Sequence, residues 1–193
     1  MHALTLLFLV ALVSHAAVQL WLARRQIRFV EDHAATVPVG FASVISPADH
    51  AKAAAYTVAK QRLGMIETVY ELMRALGLTV GGGIALVGAW SAQATDSPLL
   101  SGTLHVLGVF AAMAVLGLPF SVYRTFVQEQ RFGFNRTRAA VFVTDLMKGW
   151  TLGLVLGAAA AAGVLWIMAT AGAAWWVFGW VAWLSFSLLV TWA

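Results

Sequence analysis

Five stretches of the chain are apolar and long enough to read as transmembrane helices. A helix rising 1.5 Å per residue needs about 20 apolar residues to cross roughly 30 Å of hydrocarbon. The first, at about 3–23, carries no charge. The second, at about 76–92, is short by itself, and the third, at about 99–122, contains His105 and Pro119. No charged residue follows Lys148, so the last 45 residues form one apolar run. That is too long for one span and fits two, at about 149–170 and 173–192, broken near residues 170–172.

Two longer polar segments separate the spans, at 24–75 and 123–148. The first is mixed in polarity up to the Val37-Pro38-Val39-Gly40 break. Ser46-Pro47-Ala48-Asp49 then predicts a helix start, with Ser46 as N-cap, Pro47 at the first helical position and Asp49 three residues on. Ala55, Ala59, Leu63, Ile66, Tyr70 and Met73 follow at three- and four-residue spacing, a helical stripe. Only Gly64 interrupts it, so one helix is expected to run unbroken from about Pro47 into span two. Small residues recur every fourth position at Gly77, Gly81, Ala85 and Ala89, and again at Gly149, Gly153, Gly157 and Ala161. In lipid such rows are where helices approach closely.

Composition turns these segments into a class. Hydrophobic residues are 61% of the 193 and charged residues 10%, where a soluble domain is nearer half and a quarter. The chain is expected to be an all-α integral membrane protein of five spans, a single multi-pass membrane domain over 1–193. It has no cysteine, which excludes thiolate catalysis, iron–sulfur clusters and cysteine-ligated zinc.

The charges also orient it. Segment 24–75 holds Arg24, Arg25, Arg28, Lys52, Lys60, Arg62 and Arg74, and segment 123–148 holds Arg124, Arg131, Arg136, Arg138 and Lys148. These are all 12 basic residues. The connections at 93–98 and 170–172 hold none, only Asp96. The positive-inside rule makes both basic segments cytoplasmic, the N-terminus outside and the C-terminus cytoplasmic. The first span lacks a basic n-region and its apolar run exceeds an h-region, so it is read as a span and not as a cleaved signal. The basic segments could also serve as a lipid-headgroup or nucleic-acid patch, though setting topology is the plainer role, and no nucleic-acid partner is expected. Trp175, Trp176, Trp180, Trp183 and Trp192 read as interfacial anchors.

Little in the residues points to chemistry. His2, His15, His33, His50 and His105 have no zinc-ligand spacing, and no H-E-x-x-H occurs. His33 and His50 with Glu31 or Asp32 form at most a fortuitous surface site. His15 and His105 lie within spans, where a neutral imidazole bonded to a neighbouring helix is the plainer reading and a functional one stays admissible. Glu67 and Glu71 lie one turn apart, and Glu71 can pair with Arg74, which favours a solvated or interfacial face over a catalytic carboxylate pair. Gly81-Gly82-Gly83 sits inside a span, not between a strand and a helix as a phosphate loop requires.

The second basic segment is more particular. Pro119-Phe120-Ser121-Val122-Tyr123, Thr125-Phe126-Val127 and Glu129-Gln130-Arg131-Phe132-Gly133-Phe134-Asn135-Arg136, followed by Asp145-Leu146-Met147-Lys148-Gly149, resemble the N-terminal transmembrane region of the CAAX prenyl endopeptidase family of zinc metalloproteases. Further stretches match in order: His33 with Pro38, 45–46, 50–53, Tyr56-Thr57, the three glycines of span two, and Gly172 with Trp175-Trp176. The resemblance covers nearly the whole chain.

It implies a membrane-embedded endopeptidase of seven spans around a water-filled chamber, with a zinc site built from an H-E-x-x-H helix and a later glutamate. Its substrates are prenylated or other membrane-associated proteins. That motif follows span five in the family and is missing here, so no catalytic or metal-binding residue carries over. The chain is expected to hold no zinc and to be inactive alone, with zinc expected only in a full-length member. The implied partners are the lipid bilayer, a downstream catalytic part and a protein or peptide substrate; a bacterial inner membrane is the expected location. The signature residues Glu129, Arg131, Phe132, Gly133, Phe134, Asn135, Arg136, Asp145 and Lys148 are expected either to brace that catalytic part or border a substrate entrance, or only to pack as a connector. Physically, Phe132–Asn135 reads as a turn with docked aromatics and Gly133 or Asn135 left-handed. The alternative to a protease domain is a stand-alone, non-catalytic relative that binds lipids or protein partners.

Overall fold

The computed structural model describes residues 3–41 and 43–192, which leaves His2 outside the described residues. Every regular element among them is helical. In order these are α1 (Ala3–His33), α2 (Pro47–Leu78), α3 (Gly83–Ala94), α4 (Pro98–Tyr123), a π-wound turn (Arg124–Glu129), the single turn α5 (Gln130–Phe132), α6 (Ala139–Thr170) and α7 (Trp175–Trp192). Short 3₁₀ turns lie at Val39–Phe41 and Gly172–Ala174.

Three helices are long and apolar enough to cross a membrane: α1, the continuous run Pro98–Phe132 and α6. Taken together, α2 and α3 make a fourth. Almost none of the most apolar stretch in each long helix is buried, 6% in α1 and none in the other two. Leu, Val, Phe and Trp side chains face outward along all of them. In water such a surface would aggregate; in hydrocarbon it is the surface expected.

Ser46 caps α2 as its sequence predicts, its Oγ accepting from the Asp49 amide at 3.1 Å and donating to the Asp49 carboxylate at 2.6 Å. The helix then runs without interruption through residues 60–70. It does not continue unbroken through span two, however. It stops at Leu78, and a new helix starts at Gly83 behind Gly82, whose φ is +79°. The glycine triplet, read as part of a continuous span, is the break. Glycine alone adopts that φ without strain, and a run of three also removes the side-chain packing that favours a helix over a turn.

The chain divides into two compact units. One comprises the residues through Gly81 together with Leu118–Arg136; the other comprises Gly82–Gly117 and the chain from Thr137. In the first, α1 and α2 pack antiparallel, tied at one end by Arg62 to Glu31 at 3.0 Å and by the His50 Nε2–H donating to the His33 carbonyl at 3.2 Å. Small side chains, Ala16 and Ala54, are buried there.

In the second unit the helices meet over glycine. A Cβ on Gly88 would lie 3.0 Å from the His105 ring, and one on Gly102 would lie 2.8 Å from Leu165. The His105 ring thus packs against Gly88 of α3. Buried Ser91 and Thr103 satisfy their hydroxyls on the carbonyls of Gly88 and Leu99 at 2.9 and 2.8 Å, as hydroxyls in apolar helices must. The fourth-position rows largely do not mark the contacts. Gly77, Gly149 and Gly153 have nothing within 4 Å of a would-be Cβ, whereas Gly157 meets Leu107. A row of small residues defines a stripe on one helix, and only the positions of the other helices decide which stripe is used.

Candidate functional site: the clasp on helix α2

The third span does not end at the last apolar residue. Beyond Tyr123 the helix loosens to π winding over Arg124–Glu129 and closes with α5. A π turn takes up an extra residue and rotates the side chains that follow it. Gln128 falls inside it, 6% exposed, and its Oε1 has no hydrogen-bond partner among the described residues.

Gly133 then reverses the chain at φ +75°, its amide donating to the Gln130 carbonyl at 3.1 Å, while the Phe134 amide donates to the Glu129 carbonyl at 2.9 Å. Of the two candidates for a left-handed residue, Gly133 takes it; no non-glycine residue among those described has positive φ. Asn135 contributes through its side chain, Nδ2 donating to Gln130 Oε1 at 3.1 Å.

The turn places two aromatic rings around one. Phe132 and Phe134 meet Tyr56 of α2 edge-on, at centroid distances of 5.2 and 4.9 Å and interplanar angles of 73° and 75°. One turn earlier on α2, the Lys52 ammonium stands 5.3 Å from the Phe134 ring centroid, a cation–π distance. Lower on the same helix, Tyr70 packs against Phe120 at 4.9 Å. Arg124 reaches both carboxylate oxygens of Glu67 at 2.6 and 2.7 Å. Glu67 therefore has a partner from a distant segment, on the face its sequence context read as solvated or interfacial. Glu71 lies 3.9 Å from Arg74, at the limit of an ion pair.

Between α1, α2 and this clasp runs a groove of about 930 Å³. Val58, Leu63, Phe120 and Phe132 form its apolar walls, and Gln128, Arg131 and the Glu31–Arg62 pair supply its polar edge. Asp145 and Lys148, the remaining signature residues, lie exposed on α6 in the other compact unit, and Arg136 is exposed beyond the turn. Gln128 and the Arg124–Glu67 pair carry no sequence signal. One is the first of four consecutive polar residues, Gln128 to Arg131, and nothing in that run marks it for burial, while the other joins positions 57 apart.

Among the described residues the histidines do not assemble a metal centre. His33 and His50 come close, but the His33 Nδ1–H donates to the Phe29 carbonyl at 2.8 Å, His50 Nε2 is spent on the His33 carbonyl, and Glu31 is held by Arg62. No group of three His, Asp or Glu side chains able to hold a metal ion occurs among the described residues. That donor set does not fit zinc.

Residues 26–193 match the model of the CAAX prenyl protease N-terminal family, described as five membrane helices. The chain belongs to this family. It is 32% identical over 147 residues to the CAAX prenyl protease 1 homolog of Arabidopsis thaliana, covering 71% of this chain and 34% of that protein. The Mus musculus homolog is 26% identical over 183 residues, covering 90% and 38%. The chain thus spans about a third of the length of these curated relatives. The crystal structure of S. mikatae Ste24p superposes with a TM-score of 0.89 at 18% identity, over 98% of this chain and 45% of that one, a match of fold. These relatives are eukaryotic, and they lend no support to the expected bacterial inner membrane.

Proposed function

We propose that this chain forms the N-terminal membrane domain of a CAAX-type zinc metalloendopeptidase, acting in membrane-embedded proteolysis of prenylated or other membrane-associated proteins. The zinc and its base would come from a catalytic part whose H-E-x-x-H motif this sequence does not contain. Family membership over residues 26–193 carries the reading. The clasp supports it physically. Two edge-on aromatics, a cation–π contact and a left-handed glycine are more than a tether between spans requires. Docked this way, α5 and the π turn hold Gln128 and Arg131 at one wall of the groove, where they can brace a neighbouring part of the enzyme or border a substrate path.

The test is complementation. This chain is co-expressed with the separately encoded catalytic part of a CAAX prenyl protease relative, and cleavage of a prenylated reporter peptide is followed. The two parts are expected to copurify and to cleave in a zinc-dependent way, while the chain alone cleaves nothing and keeps no stoichiometric zinc after mild chelation. Failure to copurify and to restore cleavage would favour the non-catalytic, partner- or lipid-binding relative. Zinc near one per chain, with hydrolysis lost on His33→Ala or His50→Ala, overturns the reading.

A further inference from the structure

A second groove, of about 650 Å³, lies between α1 and α2 and is distinct from the one beside the clasp. Its depth is set by α1. The uncharged run ends at Ala23 and Arg24, Arg25 and Arg28 follow, so the membrane–water boundary crosses the helix there. The groove extends along α1 from Gln19 to Phe29 and so straddles that boundary. Leu22 and Phe29 give it apolar wall. Its polar wall is Gln19, Arg25 and Gln26 from α1 with Gln61 and Thr68 from α2, and no carboxylate lines it. Arg25 has no ion-pair partner among the described residues; its guanidinium stands 5.8 Å from the Trp21 ring centroid, a contact that steadies it without neutralising it. Gly64 leaves the floor open, since nothing lies within 4 Å of where its Cβ would be.

We infer that this groove binds the phosphodiester headgroup of an anionic phospholipid, with Arg25 as the charged anchor and the three glutamine amides as neutral donors. A guanidinium offers paired N–H groups to phosphate oxygens. A one-signed, donor-rich groove at headgroup depth complements a phosphate and would repel nothing on it. The inference is independent of the protease reading, since it uses no residue of the clasp.

The purified chain in uncharged detergent is titrated with phosphatidylglycerol or phosphatidylcholine of equal acyl composition, and retained lipid is counted by native mass spectrometry. Phosphatidylglycerol is expected to be retained about fivefold more strongly. Arg25→Gln and Gly64→Leu, the second filling the floor, should each lower that retention about tenfold. Arg138→Gln, which removes the same charge from a residue that does not line the groove, should leave it unchanged. Equal retention of the two lipids, an equal loss in Arg138→Gln, or full retention in a folded Gly64→Leu overturns the site. Displacement by millimolar inorganic phosphate assigns it to free phosphate and overturns the lipid. Should neither groove variant fold, the lipid preference of the wild-type and Arg138→Gln proteins and the phosphate competition decide.

Discussion

Gly133 shows how much can rest on one dihedral. At φ +75° it aims Phe134 at Tyr56, and the space beside it is open, with only Lys52 Nζ 3.8 Å from a would-be Cβ. Replacement by alanine therefore tests backbone strain without a clash. Gly133→Ala is expected to cost about 1–2 kcal/mol, read as a lower unfolding midpoint in an SDS titration; an unchanged midpoint would show that the turn does not depend on the left-handed residue. The ion pairs make a second contrast. Glu67 is 19% exposed and contacted by Arg124 at 2.6 Å, whereas Glu31 and Arg62 are 49% and 67% exposed. A double-mutant cycle of Glu67→Gln and Arg124→Gln should give a coupling of about 1–2 kcal/mol that persists in salt. The Glu31–Arg62 cycle should give less than about 1 kcal/mol and fade at high ionic strength. Equal couplings would remove the distinction.

At the scale of elements, capping and periodicity made the start of α2 and its run through residues 60–70 legible, because both are local. The break after Leu78 was also written locally, in three consecutive glycines, but an apolar setting made them look like packing residues. Backbone amides of residues 60–70 should exchange with deuterium at least about tenfold more slowly than those of 79–82. Uniform protection across both would mean that the helix closes through the triplet in the membrane. The π turn was not legible at all. Within it Arg124 reaches Glu67 of α2 and Gln128 is buried, and no local residue pattern encodes either.

At the scale of the whole molecule, sidedness is the open property with the clearest charge argument, since all 12 basic residues fall in two segments. The natural absence of cysteine makes it direct to measure. In intact cells an impermeant thiol reagent should label Asp96→Cys but not Arg136→Cys, both exposed positions, until the membrane is opened. Reversed labelling would invert the topology.

What the sequence determined by itself were properties set by short stretches of chain: membrane character from apolar runs, the start of α2 from its cap, a turn over Phe132–Asn135, and family from an eight-residue run, Glu129–Arg136, with its ordered companions. What only the tertiary structure decided were pairings between distant segments. Phe132 and Phe134 choosing Tyr56, Arg124 choosing Glu67, and Gly102 meeting Leu165 while Gly149 and Gly153 stay open all depend on where other helices stand. The reason is physical: in an apolar chain nearly every helix face is equally willing to be covered, so hydrophobic pattern marks the span but not its partner. Contacts between particular polar and aromatic groups, 50 or more residues apart, make that choice.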